Sequence, residues 1–126
     1  MEMKILHAAV PCRRVENADL FYGRLLGLIK SEPRSVPREL ALTLFGLDLD
    51  LTMIYYTSDD MQFEVFVGAF PPQAPQVNHV CLKVADLDAF LAVCREIGAQ
   101  VTRAPKGDKV VIFIRDLDGN AFEVKA

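Results

Sequence analysis

Residues 77–98 read VNHVCLKVADLDAFLAVCREIG, and this stretch decides the fold. Its first part alternates: Val77, His79 and Cys81 share one face of an extended chain, and Val80, Leu82 and Val84 share the other. The period then changes. Leu87, Phe90, Leu91, Cys94 and Ile97 recur at helical spacing, Asp86 stands at the N-cap, and Gly98 stands where the helix must end. AQVTRAP (99–105) follows as a second strand. The segment is therefore predicted to form a strand, an amphipathic helix of about three turns and a returning strand.

Moving outward, the same order occurs once more, at the start of the chain. ILHAAVPC (5–12) reads as a strand and ENADLFYGRLLG (16–27) as a helix, with Ala18, Phe21, Tyr22, Leu25 and Leu26 on one face and Gly27 as its stop. LIKSEP (28–33) reads as the returning strand. The phase agrees with a duplication: His7 and His79 are 72 apart, Gly27 and Gly98 are 71 apart, and Pro33 and Pro105 are 72 apart. Downstream, RELALTLFGLDLDLT (38–52) matches KVVIFIRDLDGNAFEVKA (109–126) as strand, turn and strand, setting Asp50 opposite Glu123 at an offset of 73. A second alignment, MIYYTSDDMQFEVFV (53–67) on IFIRDLDGNAFEVKA (112–126), sets Glu64 opposite Glu123 at an offset of 59. The offsets of the histidines and glycines favour Asp50. The expectation is one α+β domain over residues 1–126, built of two βαβββ modules at 4–56 and 77–126. A linker at 57–76 contains PPQAP.

Composition bounds the function. A chain of 126 residues that is 52% apolar and 25% charged has enough material for a core. A formal charge of -3 lacks the basic footprint that phosphate-backbone binding requires, so nucleic acid is not an expected partner. No apolar run is long enough for a membrane span, and the N-terminus MEMKILHAAVPC has no signal-peptide pattern. Cys12, Cys81 and Cys94 lack metal-knuckle spacing and read as reduced core thiols, consistent with the cytoplasm.

The candidate chemistry lies in two histidines and two acids. His7 and His79, the only histidines, fall at the same point of the repeat. Each is expected opposite the apolar face that packs on the helices, beside small Ala9 or Cys81. In the last strand Ala121, Glu123 and Lys125 share a face against Phe122 and Val124. In LDLDLTM (47–53), Asp48, Asp50 and Thr52 share a face against Leu49, Leu51 and Met53. A mid-strand carboxylate between large apolar residues is costly if buried without a partner. Two neutral imidazoles and two carboxylates form an N/O donor set suited to a borderline divalent cation. The DLDG turn (116–119) lacks the downstream ligands of a calcium loop and reads as a hairpin turn. No GxSxG elbow or glycine-rich phosphate loop is present.

HAAVPCRRVENADLFYGRLLGL (7–28), NHVCLKVADLDAFLAVCREIGA (78–99) and IFIRDLDGNAFEVKA (112–126) resemble the vicinal oxygen chelate superfamily. That superfamily includes glyoxalase I, fosfomycin-resistance transferases, methylmalonyl-CoA epimerase, extradiol dioxygenases and bleomycin-resistance proteins. The resemblance implies a curved eight-stranded mixed sheet forming a cup, in a homodimer. It also implies a divalent metal (Zn, Ni, Co, Mn or Fe) held by His7, Asp50 (or Glu64), His79 and Glu123. The second ligand is usually Glu, Gln or His in this family, so Asp50 would be a departure. The implied activity is a lyase or isomerase of glyoxalase type on a small oxygen-chelating substrate, through an enediolate or alkoxide, with Glu123 as proton shuttle. A metal-free small-molecule binder, or an Fe(II) ring-cleaving dioxygenase on His7, His79 and Glu123, are the alternatives on the same scaffold. The arginine expected for glutathione recognition, directly after the strand that follows the helix glycine, is missing from FYGRLLGLIKSEPRS (21–35).

Overall fold

The computed structural model describes all residues, Met1–Ala126, and divides them into two compact units, Met1–Pro71 and Pro72–Ala126. The protein is α+β, with one mixed sheet in each unit. No helix is long and apolar enough to cross a membrane.

The first unit contains β1 (Ala8–Cys12), helix α1, β2 (Ile29–Lys30), β3 (Arg34–Val36), α2 (Arg38–Phe45), β4 (Leu51–Thr57) and β5 (Gln62–Val67). Helix α1 starts as an α-helix at Val15–Ala18 and continues in π-helical turns at Asp19–Leu25. Bonding five residues back widens the turn and narrows the angle between successive side chains. The neighbours Phe21 and Tyr22 are consequently both fully buried. Tyr22 packs on Tyr56 and Phe63 at ring separations of 5.7 and 5.2 Å, joining the helix to the inner face of the sheet. Burying each such ring is worth about 1.5–3 kcal/mol. The Tyr56 hydroxyl donates to Asp19 Oδ1 at 2.7 Å, which satisfies a polar atom that enters the core.

Strand order is β1-β5-β4-β2, with β3 also on β4; β1 runs parallel to β5 and the other pairs are antiparallel. Strands β2 and β3 form one interrupted edge. Lys30 faces Tyr56 and Arg34 faces Met53, so one residue more lies on the edge than on β4. Ser31 spans the break, donating its N–H to Tyr55 O and accepting the Tyr55 N–H on Oγ, each at 2.9 Å. Pro33 in this break has no N–H to lose.

Three expectations for this unit need correction. RELALTLF is helix α2, not a strand. Its leucines alternate, but Arg, Glu, Leu and Ala favour helix, Gly46 closes it at φ 68°, and Ala41 is the residue it buries. Leu40, Leu42 and Leu44 are 46–62% exposed, so their alternation reported no sheet face. Second, the stretch 57–76 is not all linker: β5 lies within it and pairs with both β1 and β4. Third, the first strand starts at Ala8 rather than Ile5. Its partner β5 begins at Gln62, behind the Ser58–Met61 turn, so residues 5–7 extend past the paired region.

The second unit follows the sequence closely. It contains β6 (His79–Lys83), α3 (Leu87–Ile97), β7 (Gln100–Lys106), β8 (Lys109–Arg115) and β9 (Ala121–Lys125), with sheet order β6-β9-β8-β7. Asp86 caps α3 by accepting the Ala89 N–H at 3.0 Å, and Gly98 ends it at φ 84°. Leu91, Cys94 and Ile97 pack inward. The β8–β9 turn is the expected hairpin: Asp116 Oδ1 accepts the N–H groups of Asp118 and Asn120 at 3.0 and 2.8 Å, and Gly119 adopts φ 87°. Gln73 Nε2 donates to Asn120 Oδ1 at 2.7 Å, tying the proline-rich segment to this turn.

Candidate metal-binding pairs and an adjoining pocket

In each unit the first strand lies parallel to the last, and this pairing brings a histidine to a glutamate. Ala9 faces Glu64 in the β1–β5 register, and Cys81 faces Glu123 in the β6–β9 register. His7 and His79 each stand two residues earlier on the same face. His7 Nε2 lies 3.3 Å from Glu64 Oε1, and His79 Nε2 lies 3.8 Å from Glu123 Oε1. Both carboxylates are mostly enclosed, at 15% and 20% side-chain exposure, while the imidazoles are 40% and 36% exposed. The two pairs are equivalent positions of the repeat.

Asp50 has no place in either pair. It ends the loop between α2 and β4, its side chain is 88% exposed, and its Oδ2 lies 3.4 Å from Arg38 Nη1. Arg38 also grips Asp48 Oδ1 at 2.7 Å, so LDLD closes α2 onto the following loop instead of forming a strand face. The two aspartates raise the pKa of the Arg38 guanidinium, chiefly through the Asp48 hydrogen bond. The second alignment, with Glu64 opposite Glu123, is the one the strand register follows. The histidine offset does not carry through to the acids because α2 lengthens the first module between them.

The environment of His79 orients its ring. Nδ1 is 2.7 Å from the Val77 carbonyl, which can only accept, so Nδ1 carries a proton and Nε2 is the ring nitrogen turned toward Glu123. The Phe113 ring meets the imidazole edge to face at 4.9 Å and limits its rotation. Lys125 Nζ sits 3.6 Å from Glu123 Oε2.

The donor chemistry of both pairs, and the spacing of the first, suit a divalent cation. Two ligands each about 2.1 Å from one ion stand about 3.0–3.4 Å apart at right-angled to tetrahedral geometry. The His7–Glu64 separation falls in that range, and the His79–Glu123 separation exceeds it by a few tenths of an ångström. Each pair provides two donors, and no group of three or more His, Cys, Asp or Glu side chains gathers as a metal site.

Beside the first pair lies a pocket of about 260 Å³ lined only by apolar residues. Ala9 and Pro11 of β1, Phe66 of β5 and Leu51 of β4 form its floor, and Phe45 and Leu47 from the end of α2 stand over it together with Phe70. Phe45 meets Phe66 edge to face at 5.3 Å. Arg34 extends over the Tyr55 ring, 5.7 Å from its centroid, and Tyr55 faces Glu64 across β4 and β5. Arg34, Phe45 and Leu47 were not singled out from the sequence. Their roles depend on α2 and on the β3–β4 pairing, for which no local signal exists.

The family model of the Glyoxalase/Bleomycin resistance protein/Dioxygenase superfamily matches residues 4–124, and the chain belongs to that superfamily. Solved structures share the fold at low identity. A glyoxalase family protein from Enterococcus faecalis is 20% identical, with a TM-score of 0.72 over 98% of this chain and 97% of that one. A variant of the fosfomycin resistance protein FosX from Listeria monocytogenes, complexed with Mn(II) and 1S,2S-dihydroxypropylphosphonic acid, is 12% identical. Its TM-score is 0.75 over 100% of this chain and 94% of that one. The trypanothione-dependent glyoxalase I of Leishmania major is 16% identical, with a TM-score of 0.69 over 98% of this chain and 86% of that one. No curated protein sequence matches the chain.

Proposed function

We propose that the protein is a metal-dependent lyase or isomerase of glyoxalase type, acting on a small substrate through two of its oxygens. His7, Glu64, His79 and Glu123 would hold one divalent cation, joined within a chain or across a homodimer. The observation that carries this is the repetition of one His–Glu pair at equivalent strand positions in both units. The Mn(II) complex of the FosX variant supports a divalent ion on this scaffold.

When bound, the cation supplies Lewis-acid polarisation of a carbonyl or hydroxyl oxygen. The protein's own groups do the rest. Glu123 Oε takes the proton from the substrate carbon next to the polarised oxygen and returns it to the neighbouring position. Lys125 lies beside that carboxylate, and the Val77 carbonyl orients the His79 ring through Nδ1. Glu64 and His7 would supply the remaining donors.

The apolar pocket favours a second reading, a metal-free binder of small apolar molecules. Purification without chelator, followed by elemental analysis, separates the two. The enzyme reading expects a stoichiometric divalent cation, lost in a His7→Ala, His79→Ala double variant, and solvent deuterium in the product of a glyoxal-type substrate. Metal content at the wild-type level in the double variant refutes it.

A further inference from the structure

Resting on the metal-centre reading, we infer that the substrate is an aryl-bearing α-hydroxy or α-oxo acid whose ring occupies the pocket under α2. The pocket and the first His–Glu pair share one face of one sheet. Ala9 in the pocket floor is the direct cross-strand neighbour of Glu64, and it stands two residues from His7. Phe66 stands two residues from Glu64 on the same strand face. Two residues of strand span about 7 Å, roughly the reach from a phenyl ring to the oxygens of its α-substituted acid. A ligand anchored by oxygen at His7 and Glu64 therefore extends its other end into the pocket.

Size and lining narrow the class. A void of about 150 Å³ accepts benzene, and this one, at about 260 Å³, takes a ring with a small substituent. It offers no polar side chain, so sugars and phosphates have no partner there. Phe45 and Phe66 meet edge to face and leave ring faces and edges for a third aromatic group. At the polar end Arg34 is on the same face, since it pairs with Met53, which faces Phe66. Its guanidinium over Tyr55 provides a cation for a carboxylate.

The test uses the full chain loaded with Mn(II) or Zn(II), with mandelate and lactate as a matched pair of ligands. Mandelate is expected to bind about 10- to 100-fold tighter, the range for moving a phenyl-sized group from water to an apolar site. Leu47→Trp, which fills the pocket, is expected to remove that ratio. Benzyl alcohol added to metal-free, isotope-labelled protein is expected to shift the amide signals of Ala9, Leu47, Phe66 and Phe70. The same shifts are expected in the His7→Ala, His79→Ala variant. Equal affinity for mandelate and lactate, or benzyl alcohol shifts confined to other residues, overturns the inference. Cation content measured on the same samples reports separately on the metal centre.

Discussion

Gly68 sits where β5 leaves the sheet, and a methyl group there meets a wall. Its N–H donates to Cys12 O at 2.9 Å, and its carbonyl accepts the Phe70 N–H at 2.8 Å, so the backbone is held on both sides. A Cβ at this position would lie 2.5 Å from Leu51 Cδ2, 3.2 Å from the Asp50 carbonyl and 3.6 Å from the Phe70 ring. The Asp50 oxygen is backbone and cannot turn aside. Leu51 is 4% exposed and lines the apolar pocket, so it can yield only by moving into that space. Overpacking of this kind costs about 1–3 kcal/mol. For a domain of this length that is a fall in Tm of about 3–12 °C. Gly68→Ala should therefore melt earlier, and it should also lose affinity for benzyl alcohol as Leu51 shifts. Gly23→Ala is the matched control. It lies in helix α1, its nearest neighbour would be Tyr56 Cε1 at 4.0 Å, and alanine restores up to about 1 kcal/mol of helix propensity. Scanning calorimetry on both variants decides the matter. A Gly68→Ala protein as stable as wild type, with its pocket unchanged, would show that the close approach to Leu51 and Asp50 imposes no constraint.

Removing the α3 cap by Asp86→Ala should lower stability by about 1 kcal/mol, and Asp86→Asn should restore most of it, as read from urea midpoints. Glu64→Gln should weaken cation binding far more than Asp50→Asn in a competition titration, because Glu64 faces His7 while Asp50 is held by Arg38; equal losses would restore Asp50 as a ligand. Burial pushes the Cys94 thiol up to about 11, against an ordinary value of 9.0. The folded state thus favours the neutral thiol, so this contribution is intact below about pH 9 and fades as pH rises toward 11. Cys94→Ala should flatten the alkaline fall in stability over that window, and an unchanged slope would contradict the assignment.

What the sequence revealed were features carried by neighbouring residues. Helix α3 was legible because Asp86, the apolar spacing and Gly98 all lie within one segment. The β8–β9 turn was legible because Asp116 bonds residues two and four places ahead. His79 and Glu123 were legible because the second unit carries no insertion. Glu64 was placed second to Asp50 because which acid meets His7 is set by the pairing of β1 with β5, the first and last strands of the unit. Helix α2 was missed because three leucines at alternate positions imitate a strand, and helix propensity rather than burial decides its fold. The pocket was hidden for the same reason, since its roof exists only if α2 is a helix.

Helix α2 makes the duplication unequal, and that inequality has an evolutionary use. The shorter copy runs β7, β8 and β9 in succession with no helix between them. The longer copy carries α2 as a roof, fastened by Ala41 below and by the Arg38 clasp to Asp48 and Asp50 at its base. Substitutions at Phe45 or Leu47 can reshape what the pocket admits while the strand ladder beneath keeps its register. The shape of the pocket can therefore change on one half of the molecule while the His79–Glu123 pair on the other half keeps its place.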